Sequence, residues 1–180
     1  MLRDSCLFVY IMTATKVVVL GHSFVRRLGL YLGRDDERCN FGLDESLFDI
    51  SIIGFGGLTM RNSRLHSVKP LLENCDLVIL DIGSNDLCDQ TLNAQRFVND
   101  LLSYAQFLRI GLNVHKVVIL QLLHRSVVPY FDYNSVVTGV NVSLQECLAA
   151  ATLPKIYFWK HRAGLWQSIA SVLDRQGVHL

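Results

Sequence analysis

Charge is scarce in this chain of 180 residues: Asp, Glu, Lys and Arg make up 18% of it and nearly cancel, to a net +1. A protein that grips a nucleic-acid backbone or an acidic lipid surface needs a concentrated basic face. Here Lys and Arg are scattered, and the neighbouring pair Arg26 and Arg27 reads as a solvated helix face. Direct nucleic-acid binding is therefore not expected. No apolar run approaches the roughly 20 residues that a membrane span requires. Metal-ligand spacing is missing as well. The five cysteines (Cys6, Cys39, Cys75, Cys88, Cys147) are far apart with no CxxC pair, and His22, His66, His115, His124 and His161 are dispersed. An odd set of widely spaced cysteines reads as reduced thiols and a cytoplasmic setting. The opening MLRDSCLFVYIM does not make a good signal peptide, because Asp4 sits where positive charge belongs and the apolar run is short. Repeats, low-complexity segments and a second-domain linker are absent too.

What is present is apolar sequence: 51% of the chain, enough for one domain with a sizeable core. The organising stretch is Lys16 to Leu28, KVVVLGHSFVRRL. Val17 to Leu20 reads as a strand buried on both faces, as in a parallel sheet with helices on each side. Gly21 permits a sharp exit, and Phe24, Val25, Leu28 and Leu32 recur at helical spacing behind Ser23. Ser23 thus stands at the carboxyl end of a strand, where open α/β sheets bind ligands. A plainer reading makes it the N-cap of the following helix.

The same pattern repeats down the chain. Strands are expected at Phe48–Ile53, Leu77–Ile82, Val117–Leu120 and Ile156–Trp159. Helices are expected over Leu58–Leu72, limited by Pro70, from Phe97 to near Gly111, and over Asn141–Ala151. The stretch from Gly33 to Glu45 reads as a surface loop, and His124 to Tyr133 as an irregular connection. Alternation at this spacing predicts an α/β domain with a five-stranded, mainly parallel sheet flanked on both faces. That domain is assigned to residues 16–180, with residues 1–15 as an N-terminal extension.

Three strands end in residues of a particular kind: Ser23 after the first, Gly57 after the second, Asn85 after the third. Ester hydrolysis needs a hydroxyl nucleophile, hydrogen-bond donors aimed at the oxygen that becomes negative, and a base for the hydroxyl proton. Ser23 can be the nucleophile. The backbone N–H groups of Ser23 and Gly57 and the side-chain amide of Asn85 can be the donors. His179 is the candidate base, since imidazole titrates near neutral pH.

These residues carry a resemblance to the SGNH, or GDSL-type, hydrolase superfamily. Gly21-His22-Ser23 resembles its first block, Gly56-Gly57-Leu58-Thr59 its second, Gly83-Ser84-Asn85-Asp86-Leu87 its third and Gly177-Val178-His179-Leu180 its fourth. The blocks occur in the family's order and span Lys16 to Leu180. The resemblance implies a flavodoxin-like three-layer α/β/α sandwich that hydrolyses a small-molecule ester with no cofactor and no metal. GHSFVRRL and IYFWKHR are further similar to esterase-like domains of animal genomes, some carried by non-LTR retrotransposons. The chain departs from the family in three places. His22 stands where the best-known members have aspartate. Gln176 stands three before His179, where the family has aspartate, while Asp174 lies five before it. On a helix those spacings put the groups about 60° and about 140° apart, respectively. The family's closing helix after the histidine is also missing.

Other readings stay open at this level. A catalytically silent domain of the same fold, acting as a binding module, is the alternative to an esterase. Gly54-Phe55-Gly56-Gly57-Leu58-Thr59 partly matches a dinucleotide fingerprint, with Thr59 in the third glycine's place. Asn141-Val142-Ser143 matches a glycosylation sequon, and Asn141 equally suits a helix N-cap. Asn85 and Asp86 also suit a plain turn. Trp159 and Trp166 are expected to cover the core.

Overall fold

The structure, a computed structural model, describes residues 13–34, 39–151 and 153–161. Five strands, β1 (Thr15–Gly21), β2 (Phe48–Gly54), β3 (Leu77–Asp81), β4 (Lys116–Leu120) and β5 (Ile156–Trp159), form one sheet in the order β2-β1-β3-β4-β5. Every pairing is parallel. The expected α/β sheet is therefore present, with β5 bounded as the sequence indicates and β1, β2 and β4 each slightly longer than their apolar runs.

Helix α1 (Ser23–Leu32) joins β1 to β2 in one direction along the sheet. Helices α4 (Ala94–Gly111) and α5 (Tyr133–Ala150) follow β3 and β4 in the other direction and pack on each other. Right-handed crossovers then put α1 on one face and α4 with α5 on the other. Strand alternation agrees. Val18 and Leu20 of β1, Val78 and Leu80 of β3 and Val117 and Ile119 of β4 join Leu101, Leu108, Val137, Val140 and Leu144 in the main core. Val17 and Val19 point the other way, and Ile52, the register partner of Val19, lies so near α1 that a methyl group on Gly29 would press on it. Burial of each such side chain contributes about 1.5–3 kcal/mol.

Glycine makes one close approach possible. A methyl group on Gly54 would overlap the backbone of Arg26, so the end of β2 and the first turn of α1 meet only because no side chain lies between them. Backbone bonds then tie the strand exits together: Phe55 N–H donates to the Gly21 carbonyl (3.0 Å), and His22 N–H to the Asp81 carbonyl (3.2 Å).

Three expectations need correction. Leu58–Leu72 is not one helix but an irregular stretch followed by two four-residue helices, α2 (Arg64–Ser67) and α3 (Lys69–Leu72). Pro70 lacks the N–H that would continue α2, and its ring clashes with a carbonyl one turn back. Upstream, Leu58 and Met60 are held by side chains from the β3 exit instead of by helical bonds. The dinucleotide reading loses its footing here, since no long helix opens on the glycine turn. Second, α5 begins at Tyr133, about two turns before Asn141. Asn141 is therefore mid-helix and only 6% exposed, neither a cap nor an accessible sequon. Its side chain bonds both the N–H and the C=O of Leu122 (2.9 Å each), pinning the β4 exit to α5. Third, Trp159 is 60% exposed, because it ends the edge strand β5 on its outward side. Trp166 lies outside the described residues.

Candidate active site

The sheet order places a switch point between β1 and β3. The chain leaves β1 toward β2 and returns on the far side to β3, so the connections diverge and open a crevice at the carboxyl edge. Gly21 is in register with both Gly54 and Asp81. Neighbouring strands lie about 4.8 Å apart. Ser23, Gly57 and Asn85, a few residues beyond those register partners, therefore occupy three adjacent exits on the same edge.

Ser23 is the first residue of α1, half-buried, and not its cap. His22 takes that role: its Nδ1 accepts the N–H of Phe24 at 3.3 Å. A ring nitrogen that accepts is unprotonated, so the neutral ring carries its hydrogen on Nε2, which faces Oδ1 of Asp81 at 3.4 Å. Both nitrogens of His22 are thus engaged, and it is not available as a base for its neighbour Ser23. His22 stands directly at the end of β1 and is 8% exposed.

Gly57 sits at φ +66° in the turn after β2. That left-handed backbone is natural for glycine and costs other residues roughly 1–2 kcal/mol. It lets the chain reverse directly at the strand exit.

Asn85 precedes a short 3₁₀ turn, Asp86–Cys88, at the exit of β3. Its Nδ2 donates to the Leu58 carbonyl at 3.1 Å, and its Oδ1 accepts from Nη2 of Arg125 at 3.3 Å. An amide nitrogen has two hydrogens, so one remains after Leu58 is served. Asp86 accepts the Met60 N–H through Oδ1 at 2.8 Å. Two consecutive side chains thereby clamp the Gly57 loop onto the β3 exit. The turn reading of Asn85 and Asp86 understates them. Burial pushes the Asp86 carboxyl up to about 6, against the opposing pull of the Met60 N–H.

Arg125 is the residue that sequence reasoning missed. It lies in the irregular stretch after β4 and reaches the β3 exit, with its guanidinium carbon 5.1 Å from the centre of the Tyr133 ring. Tyr133 is fully buried and donates to the Ser84 carbonyl at 2.9 Å. Desolvation raises its hydroxyl well above the ordinary tyrosine range. No local periodicity marks Arg125. Its only signal is an arginine just past a strand exit.

Three other described histidines are engaged elsewhere. His124 pairs with the Thr138 hydroxyl (2.9 Å), and desolvation holds its ring below the usual histidine range. His161 contacts the Gln121 carbonyl (3.1 Å), and His115 lies 3.2 Å from Nζ of Lys155. His179, Asp174 and Gln176 lie outside the described residues. Cys39, Cys75, Cys88 and Cys147 are thiols outside any disulfide.

Comparison with solved structures bears on this arrangement. A GDSL-like lipase from Bacteroides thetaiotaomicron superposes with a TM-score of 0.65 at 18% identity, over 92% of this chain and 79% of that one. A catalytic mutant of an acetylxylan esterase from Geobacillus stearothermophilus, with serine changed to alanine, gives 0.65 at 13% identity, over 94% and 88%. An acetyl esterase mutant with bound acetate gives 0.62 at 16%, over 92% and 87%. The chain has the GDSL-hydrolase fold. In sequence, no family model and no curated protein matches it. Ser23, Gly57 and Asn85 follow the first three strands of this fold. Among the described residues, no helix is long and apolar enough to cross a membrane.

Proposed function

We propose that the protein is a serine esterase acting on small carboxylic esters. Ser23 Oγ attacks the ester carbonyl carbon while His179 takes the hydroxyl proton. The oxygen that becomes negative is met by the N–H groups of Ser23 and Gly57 and by the free hydrogen of Asn85 Nδ2. Collapse expels the alcohol, which takes the proton back from His179. Water then hydrolyses the acyl-serine and releases the acid. These residues need no cofactor for that sequence of steps.

The observation that carries this reading is the Asn85 amide, held at both ends beside the exit that bears Ser23. A turn asparagine has no need of two such partners, whereas an oxyanion donor does. The names of two of the structural neighbours, an acetylxylan esterase and an acetyl esterase, point to acetyl esters as first substrates. The finer kinship, to animal esterase-like domains, rests on GHSFVRRL and IYFWKHR alone.

The deciding assay is hydrolysis of p-nitrophenyl acetate. Activity should vanish in Ser23→Ala and fall about 10²- to 10³-fold in Asn85→Ala. Full activity in Ser23→Ala would remove the nucleophile assignment. A folded protein with no hydrolysis at all would favour the silent binding module, a reading that Gln176 at the family's aspartate position also supports.

A further inference from the structure

We infer that Arg125 is a positioning residue for the proposed oxyanion hole, one that selects which end of the Asn85 amide faces the substrate. The inference rests on the esterase reading. An asparagine amide is nearly symmetric in shape but opposite in chemistry at its two ends. Turned over by 180°, Asn85 would present an oxygen to the developing negative charge and repel it.

Its two partners remove that ambiguity. A guanidinium can only donate, so Nη2 of Arg125, at 3.3 Å, requires the oxygen of Asn85. The Leu58 carbonyl can only accept, so at 3.1 Å it requires the nitrogen. Both demands agree on one orientation, which leaves the second Nδ2 hydrogen for a ligand.

Arg125 is itself held in place. The same Nη2 donates to the Ser84 carbonyl (3.0 Å), Nη1 donates to Cys88 Sγ (3.1 Å), and the guanidinium lies over the Tyr133 ring. Its backbone N–H and C=O are both bonded by the Asn134 side chain at 2.9 Å. The planar fork spans three acceptors at once, a task that a lysine ammonium on a flexible stem performs poorly.

The test is a double-mutant cycle with p-nitrophenyl acetate, using Arg125→Met, which keeps an apolar stem over Tyr133, and Arg125→Lys. Arg125→Met should lower kcat about 10- to 100-fold with KM within twofold, less than outright loss of a donor because the amide still samples the right orientation. Arg125→Lys should recover part of that loss. In an Asn85→Ala background, Arg125→Met should change kcat less than twofold. An independent readout is the side-chain amide of Asn85 in ¹⁵N-resolved NMR. Its protons should lose protection from exchange in Arg125→Met, while those of Asn141, bonded to Leu122, keep theirs. An undiminished kcat effect in the Asn85→Ala background overturns the inference, as does an Asn85 amide that stays protected in Arg125→Met. If Ser23→Ala keeps full activity, the esterase reading fails instead, and the NMR arm still decides whether Arg125 orients Asn85.

Discussion

Nε2 of His22 lies 3.4 Å from Oδ1 of Asp81, with both side chains largely withdrawn from water. The other ring nitrogen caps α1, so one residue joins the β3 exit to the helix that carries Ser23. His22→Ala removes the cap and the ring partner of Asp81 together. It should lower stability by about 1–3 kcal/mol in urea unfolding. His22→Asn supplies an oxygen that can accept the Phe24 N–H and should recover part of the loss. Equal stability of the two variants would show that the cap contributes nothing.

Asp86 supplies a pH dependence of known sign. Its Oδ2 is buried without a hydrogen-bond partner, and its carboxyl is raised from the ordinary 3.8 to about 6. Between those values the unfolded chain has released the proton while the folded chain keeps it. Stability contributed by the protonated group is thus present below pH 4 and lost as pH rises to about 6. Asp86→Asn preserves an oxygen for the Met60 N–H but cannot ionise. It should match the wild type near pH 4 and exceed it by about 1–3 kcal/mol at pH 7.5. Urea unfolding of both proteins at the two pH values checks this, and a difference independent of pH would refute it.

The bonds from Asn141 to Leu122 make a third case. Asn141→Ala leaves a buried N–H and a buried C=O unpaired, which should cost about 2–4 kcal/mol. Asn141→Asp keeps the acceptor for the Leu122 N–H but loses the donor to its carbonyl and buries a charge, so it should be no better. Thermal unfolding compares the three proteins. A loss below about 0.5 kcal/mol in Asn141→Ala, the range of ordinary surface changes, would mean that solvent reaches Leu122.

The sheet was legible because β1, β3 and β4 are built on runs of Val, Ile and Leu and β2 and β5 are rich in β-branched and aromatic residues, signals that depend only on neighbours in sequence. Ser23, Gly57 and Asn85 were legible as strand-exit residues for the same reason. Their neighbours were not. His22 as the cap, the bonds from Asn85 to Leu58 and from Asp86 to Met60, and Arg125 reaching Asn85 from 40 residues away are all created by folding. Periodicity also blurred where backbone bonds were taken over by side chains. The stretch after Gly57 has helical spacing at Met60, Leu65, Val68 and Leu72, yet it breaks at Pro70 and is held open by Asn85 and Asp86. Asn141 looked like a boundary only because asparagine usually marks one.

On the proposed mechanism His179 is the base, and its acid partner remains to be assigned. In the SGNH-like block the place three before that histidine belongs to aspartate, and Gln176 stands there. An amide neither stabilises an imidazolium nor favours its tautomer as a carboxylate does. In the serine-protease triad, Asp to Asn costs roughly 10⁴ in rate. The protein should therefore be a slow esterase, and Gln176→Asp should raise kcat for p-nitrophenyl acetate with little change in KM. If a looped path instead brings Asp174 to the imidazole, Asp174→Asn should lower kcat sharply and Gln176→Asp should do little. The two single mutants, each measured beside Ser23→Ala as the zero, separate these assignments. If neither changes the rate of an active enzyme, Ser23 and His179 work as a dyad, and His179→Ala should then abolish hydrolysis as completely as Ser23→Ala.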